Sequence, residues 1–166
     1  MTSSLDHRIL DILSNHARLS VESIATQLKE SPDVIAQAIH RLESNGTILQ
    51  YATIIDESKL SKRKAPVRAL IEVQVRPEKR TGFDSIAMRI AKFPNVVDHY
   101  LLSGGYDFLV IVEGETLDEI AQFVSGKLAS LDNVRSTVTH FIMKKYKEKG
   151  ALMGGDESDE RLAITP

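Results

Sequence analysis

The chain has no cysteine, no tryptophan, few aromatic side chains (5%) and no apolar run long enough to cross a bilayer as a helix. The missing cysteines exclude disulfides, thiolate nucleophiles and cysteine-ligated zinc together. With no basic-plus-apolar leader at the start, the expectation is a cytoplasmic protein without a membrane partner. There is no glycine-rich phosphate loop of Walker or dinucleotide type and no Gly-x-Ser-x-Gly elbow. The histidines, His7, His16, His40, His99 and His140, are scattered without ligand spacing. Of these, His99 and His140 fall on expected strands and are the pair to check for proximity, a satisfied strand histidine being the commoner case. The expectation is therefore a protein that is not an enzyme and has no metal and no cofactor. What the chain does have is 42% hydrophobic content over 166 residues, enough for one or two small cores.

The most informative stretch is 31–46. Ser31 is placed to cap a helix, Pro32 stands at its first position where a missing N–H is no loss, and Gly46 suits the left-handed turn that ends it. Between them Val34, Ile35, Ala38, Ile39 and Leu42 recur at three- and four-residue spacing and form the core stripe. Asp33, Gln37, His40, Arg41 and Ser44 are left outside. Two shorter amphipathic helices precede it, over 6–14 and, capped by Ser20, over 21–28. That is the layout of a helix-turn-helix, in which the outer residues of the third helix face a major groove. Glutamine suits adenine and arginine suits guanine, so Gln37, His40 and Arg41 are the candidates for base contact, with Ser31, Pro32 and Asp33 at the helix start. The β-branched run at 47–55 predicts a short wing hairpin, giving a winged helix-turn-helix over 1–55.

Charge complicates this. Residues 1–55 hold Arg8, Arg18, Lys29 and Arg41 against Asp6, Asp11, Glu22, Glu30, Asp33 and Glu43, a local net of −2, which is awkward for docking on phosphates. A basic, proline-punctuated linker over 56–66 follows, and its Lys62, Arg63 and Lys64 could supply the missing positive field or simply form a solvated tether.

Beyond Pro66 the period changes. Alternation over 67–76, 96–102, 107–113 and 134–143 predicts strands. Phe83, Ile86, Ala87 and Ile90 mark one helix, and Thr116 with Glu119 forms a capping box ahead of another. The halves repeat weakly, with Asp-Ser-Ile-Ala at 84–87 leading to Asn95 and Val96 as Asp-Glu-Ile-Ala at 118–121 leads to Asn133 and Val134. Two βαβ halves over 67–149 make a ferredoxin-like βαββαβ sandwich, and the whole chain is α+β. Residues 108–112 are apolar at every position, so the sheet face without helices needs a cover; a second copy of the sheet is the simplest, predicting a homodimer or a higher homo-oligomer. Residues 150–166 read as a flexible acidic tail.

In this order and spacing the chain resembles the Lrp/AsnC (feast/famine) family of transcription regulators over roughly its first 147 residues. The matching residues are Leu5 and Asp6, Ile9 and Leu10, 17–20, Ile24 and Ala25, Ser31 and Pro32, 41–43, 46–48, 103–108 and 137–139. The resemblance implies a regulator that binds double-stranded DNA as a dimer, assembles through its C-terminal domains, often to octamers, and responds to an amino acid or similar small effector. It places the family's Gly-x-Tyr-Asp turn on Gly104, Gly105, Tyr106 and Asp107, with Ser103 beside it and Thr137 and Thr139 as weaker candidates. A glycine-rich turn exposes backbone N–H groups to a carboxylate, and Asp107 suits an α-amino group. The same residues also make an ordinary hairpin connection. The recognition helix departs from the family in carrying Ala38 and His40 where basic residues are common, and the turn before it lacks the usual glycine. A module that has lost specific DNA binding and contacts a protein partner is the alternative.

Overall fold

Residues 3–60, 65–78 and 82–154 of a computed structural model are described. The chain divides into two units, Met1–Ile54 and Ile55–Pro166.

The first unit is three helices: α1 (Ser4–Asn15), α2 (Val21–Leu28) and α3 (Pro32–Ser44). Each start is fixed by a serine. Ser20 accepts from the Ser23 N–H at 3.2 Å and Ser31 from the Val34 N–H at 3.4 Å, as their spacing predicts. α1 begins earlier than the apolar pattern indicates, because Ser3 and Asp6 cap it reciprocally through bonds of 3.1 and 2.8 Å. Ile9, Ile24, Ile35 and Leu42, all fully buried, are the centre of the core where the helices meet.

Two details depart from expectation. The α2–α3 turn manages without glycine because Lys29 itself takes the left-handed conformation (φ 56°), while the Glu30 N–H closes onto the Ala25 carbonyl at 3.0 Å. That conformation costs a side-chain-bearing residue about 1–2 kcal/mol. The wing hairpin does not form: no strand lies over 47–55, and Leu49 is 88% exposed. The β-branched residues there favour extended backbone, but the stretch has no Gly, Pro, Asn or Asp to reverse the chain, and a hairpin needs that reversal.

The second unit begins with a single 3₁₀ turn (Glu57–Lys59) and continues β1 (Val67–Val75), α4 (Asp84–Ala91), β2 (Val96–Leu101), β3 (Phe108–Gly114), α5 (Leu117–Phe123, widening into a π turn at Val124–Leu128) and β4 (Val134–Phe141). The four strands form one antiparallel sheet in the order β2-β3-β1-β4, the βαββαβ sandwich expected. Alternation decides its faces. Ala69, Ile71, Val73, Phe108, Val110 and Val112 are fully buried against Ile86 and Ile90 of α4 and Ile120 of α5. Their neighbours Leu70, Leu109 and Ile111 line the opposite, open face and are only half-buried. Gly114 is where the sheet meets α5, since a Cβ there would come within 3.1 Å of Ile120.

The last segment differs from expectation. β4 stops at Phe141, and the chain then forms a small hairpin, β5 (Lys147–Glu148) with β6 (Ala151–Leu152). Lys149 (φ 44°) and Gly150 (φ 88°) both take positive φ, the two-residue turn whose twist matches paired strands. Residues 150–154 thus belong to an ordered hairpin and not to a flexible tail.

Candidate functional site

The outer face of α3 carries the DNA-contact candidates. Asp33, Gln37 and His40 are exposed along it, while Ile35, Ala38 and Leu42 hold the opposite face in the core. Ser31 and Pro32 are occupied with starting the helix. Arg41 is engaged: its Nη2 donates to Asp6 Oδ1 at 2.5 Å, fastening α3 to the first turn of α1. Asp6 is 2% exposed, yet it accepts from Ser3 and Arg41 at once. The Ser3 backbone N–H, followed by the Ser3 hydroxyl and the Arg41 guanidinium, holds its carboxyl below the usual aspartate range against the opposing effect of burial. Arg41 keeps 56% of its side chain exposed, so the pairing leaves part of the guanidinium open to a further acceptor. Lys62, Arg63 and Lys64 lie outside the described residues.

Because the folded-state pKa of Asp6 is depressed, its contribution to stability is complete above the ordinary carboxylate range and disappears as pH falls through the lowered value. The melting temperature of the first unit is therefore expected to fall below about pH 4. Asp6→Asn should flatten that acid limb, and an unchanged limb in thermal melts across pH would count against this role.

The second candidate is the loop between β2 and β3. It is built from chain ends brought together by the sheet order. The Leu102 N–H donates to the Asp107 carbonyl at 2.8 Å, and the Asp107 N–H donates to the Val73 carbonyl at 3.1 Å. Asp107 Oδ2 accepts the Val75 N–H at 2.8 Å, at the step where the β1–β4 register shifts and this donor needs a partner. Gln74 Nε2 donates to the Gly105 carbonyl at 2.7 Å, and Gln74 Oε1 accepts from the Ser136 hydroxyl at 3.0 Å. Ser103, Gly104 and Gly105 remain exposed on a loop held at both ends, with Tyr106 half-buried beside them.

The structure thus draws the turn residues toward Ser136 of β4, through Gln74. Thr137 and Thr139 stand on the other side: they pair with Val73 and Ile71, so they share the helix-covered face. Gln74 and Ser136 were not anticipated. Their signal was parity, since strand alternation puts both on the face opposite Val73 and Thr137.

His99 and His140 do not meet. They lie on β2 and β4 at opposite edges of the sheet, one paired with Val110 on the covered side and the other with Leu70 on the open side. The His99 ring packs 4.8 Å from that of Phe108, and burial pushes its pKa down. His140 Nε2 is 3.1 Å from Glu72. Among the described residues no cluster of three His, Asp or Glu side chains is placed to hold a metal ion.

A tri-helical unit with a capped third helix, followed in the chain by an antiparallel α/β sandwich, is the layout of helix-turn-helix regulators that carry a second, C-terminal domain. The family model of the Lrp/AsnC ligand binding domain matches residues 68–152. The uncharacterized HTH-type transcriptional regulator YugG of Bacillus subtilis strain 168 is 39% identical over 158 residues, covering 95% of each chain. The solved structure of LrpC from B. subtilis is 25% identical, with a TM-score of 0.61 over 89% of this chain and 98% of that one. A transcriptional regulator of Neisseria meningitidis, solved as an L-Met complex, shares the fold at 24% identity and a TM-score of 0.67, over 89% of this chain and 94% of that one. The chain belongs to the Lrp/AsnC family, whose members are transcription regulators and not enzymes.

Proposed function

We propose that this chain is a cytoplasmic, metabolite-responsive transcription regulator that reads double-stranded DNA with α3 and senses an amino acid through its C-terminal domain. The exposed row of Asp33, Gln37 and His40 on a helix anchored by its other side carries the reading. Gln37 and His40 offer hydrogen bonds to base edges, Arg41 reaches from the same helix, and Lys62, Arg63 and Lys64 neutralise phosphates. The effector lies against the loop containing Ser103, Gly104, Gly105, Tyr106 and Asp107, with Gln74 and Ser136 as further polar neighbours, while Thr137 and Thr139 face the helix-covered side of the sheet. An amino acid is the favoured class because the turn pairs exposed backbone with a carboxylate, and because the same fold accommodates L-Met in the Neisseria protein.

The open face of the sheet supports a homodimer. Its rows read Tyr100, Leu109, Glu72, Val138 and Asp98, Ile111, Leu70, His140, an apolar centre crossed by the Glu72–His140 pair. A second copy of the same sheet satisfies it by two-fold symmetry, and further assembly to an octamer is compatible with that contact.

The test is a gel shift of the purified protein on the DNA upstream of its own gene, across a salt series, with and without pooled amino acids. Binding is expected to fall steeply with salt, by about three orders of magnitude between 50 and 200 mM if some six phosphates are neutralised, and to shift with one pool member. The local net charge of −2 over residues 1–55 favours one competing reading, a module whose helical unit contacts a protein. Absence of binding at low salt, with the protein folded and assembled, would favour that alternative and move the search to protein partners.

A further inference from the structure

We propose that the hairpin β5–β6 is a strap, which fastens the linker segment 55–60 to the end of the sheet and so sets where the chain leaves the C-terminal unit. The strap is held by charge. Arg68, at the start of β1, donates from Nε to Glu113 on β3 and from Nη1 to Glu148 on β5, the latter at 2.5 Å. The second oxygen of Glu148 accepts from Lys145 Nζ at 3.0 Å, and Lys145 also lies 3.8 Å from Glu57 in the 3₁₀ turn of the linker. Beyond β6, the Gly154 N–H donates to Asp56 Oδ2 at 2.9 Å, while Asp56 Oδ1 accepts from the Ser58 N–H and hydroxyl. The strap therefore grips the linker at two points, Lys145 on Glu57 and Gly154 on Asp56.

These ion-paired side chains are 20 to 27% exposed, so water screens them less than it screens ordinary surface pairs. Donation from Arg68 holds the Glu148 carboxyl below its ordinary range, and the Ser58 hydroxyl does the same for Asp56. Apolar packing contributes little to the closure. Strap, linker and sheet end border a half-open cavity of about 300 Å³ lined in part by Ile55, Pro66, Ile142, Met143 and Met153. Segments joined by a few polar contacts beside a solvent-open cavity belong to the low-stability end of a fold and open without the core unfolding.

The consequence is a tether of two lengths. With the strap closed the chain departs at Ile55. Opening it releases residues 55–60, whose extended reach is roughly 20 Å. This consequence rests on the function proposed above, because tether length matters to a dimer that must place two DNA-binding units on half-sites of fixed spacing.

Amide hydrogen exchange on the full-length protein tests the strap, comparing the unmodified chain with the Asp56→Ala, Lys145→Ala double variant. The amides of Lys59, Leu60, Met153 and Gly154 are expected to exchange at least about tenfold faster in the variant, with β1 and β3 amides unchanged. Unchanged exchange at Lys59 and Leu60 overturns the proposal. If the strand amides accelerate as well, rising salt on the unmodified protein decides: the same four amides must then speed up ahead of the strands, and movement together overturns the strap. Failure of the unmodified protein to bind DNA would overturn the function proposed above and leave the exchange result standing.

Discussion

Replacing Phe108 by alanine is expected to cost the C-terminal unit about 3–5 kcal/mol, the usual consequence of emptying a fully buried aromatic site. Phe108 is 0% exposed and opens β3, where it pairs with Val73 on one side and Leu101 on the other. Its ring meets Phe83 edge-on at 5.9 Å and His99 at 4.8 Å, so the cavity left behind would be bounded by two other rings and could not collapse without moving α4 or β2. Domains of this size have about 5–15 kcal/mol in hand, so the variant should sit near its unfolding threshold. The loop at 103–107 should suffer as well, because Asp107 is the preceding residue and its carboxylate carries the Val75 N–H. Urea unfolding followed by circular dichroism measures the loss. A value below about 1 kcal/mol would mean that the site repacks and that the core is more plastic than its burial indicates.

Loop and core are linked through residues far apart in the chain, and this marks the limit of what the sequence discloses. Ser20, Ser31, the apolar alternation of β1 and the unbroken apolar run of β3 could be read directly, because a cap acts over three residues, a half-buried strand declares itself every two and a short continuous apolar run marks a buried one. The resemblance to the Lrp/AsnC family located the turn at 103–107 but not what it is bonded to. Gln74 reaches Gly105 across 31 residues and Arg41 reaches Asp6 across 35, and no local pattern encodes either bond. The Asp6 pairing matters most for the DNA reading, since the arginine that looks freest on a helical wheel is partly committed to another helix. Two further differences are chemical. The run at 47–55 has strand composition without turn residues, so its composition suggested a hairpin that the chain cannot close. The hairpin that does form turns at Lys149 and Gly150, and only the second of these carries the usual signal for positive φ.

Substituting Ile111 by glutamate is expected to convert the assembled protein into monomers and, with that, to weaken DNA binding. Ile111 lies in the middle of the open face, paired with Leu70 on β1 and Asp98 on β2, and it is only half-buried in the single chain. A glutamate there can stay hydrated in the monomer, so the domain should fold. In a two-fold dimer the substitution enters twice, and each carboxylate would be moved from water into an apolar contact, costing several kcal/mol unless a cation pairs with it. The nearest charged residues on that face are Glu72, His140 and Asp98, two acids and a histidine already occupied by Glu72, so compensation is poor. A penalty of about 3 kcal/mol already raises the dissociation constant more than a hundredfold. Sedimentation velocity at micromolar concentration should then show a single monomeric species, while Ile111→Val, which keeps the face apolar, should remain assembled. DNA affinity should drop in parallel, because two tethered units lose the advantage of binding a second half-site from the same particle. An Ile111→Glu protein that stays dimeric would place the subunit contact elsewhere and leave the open face without its proposed cover.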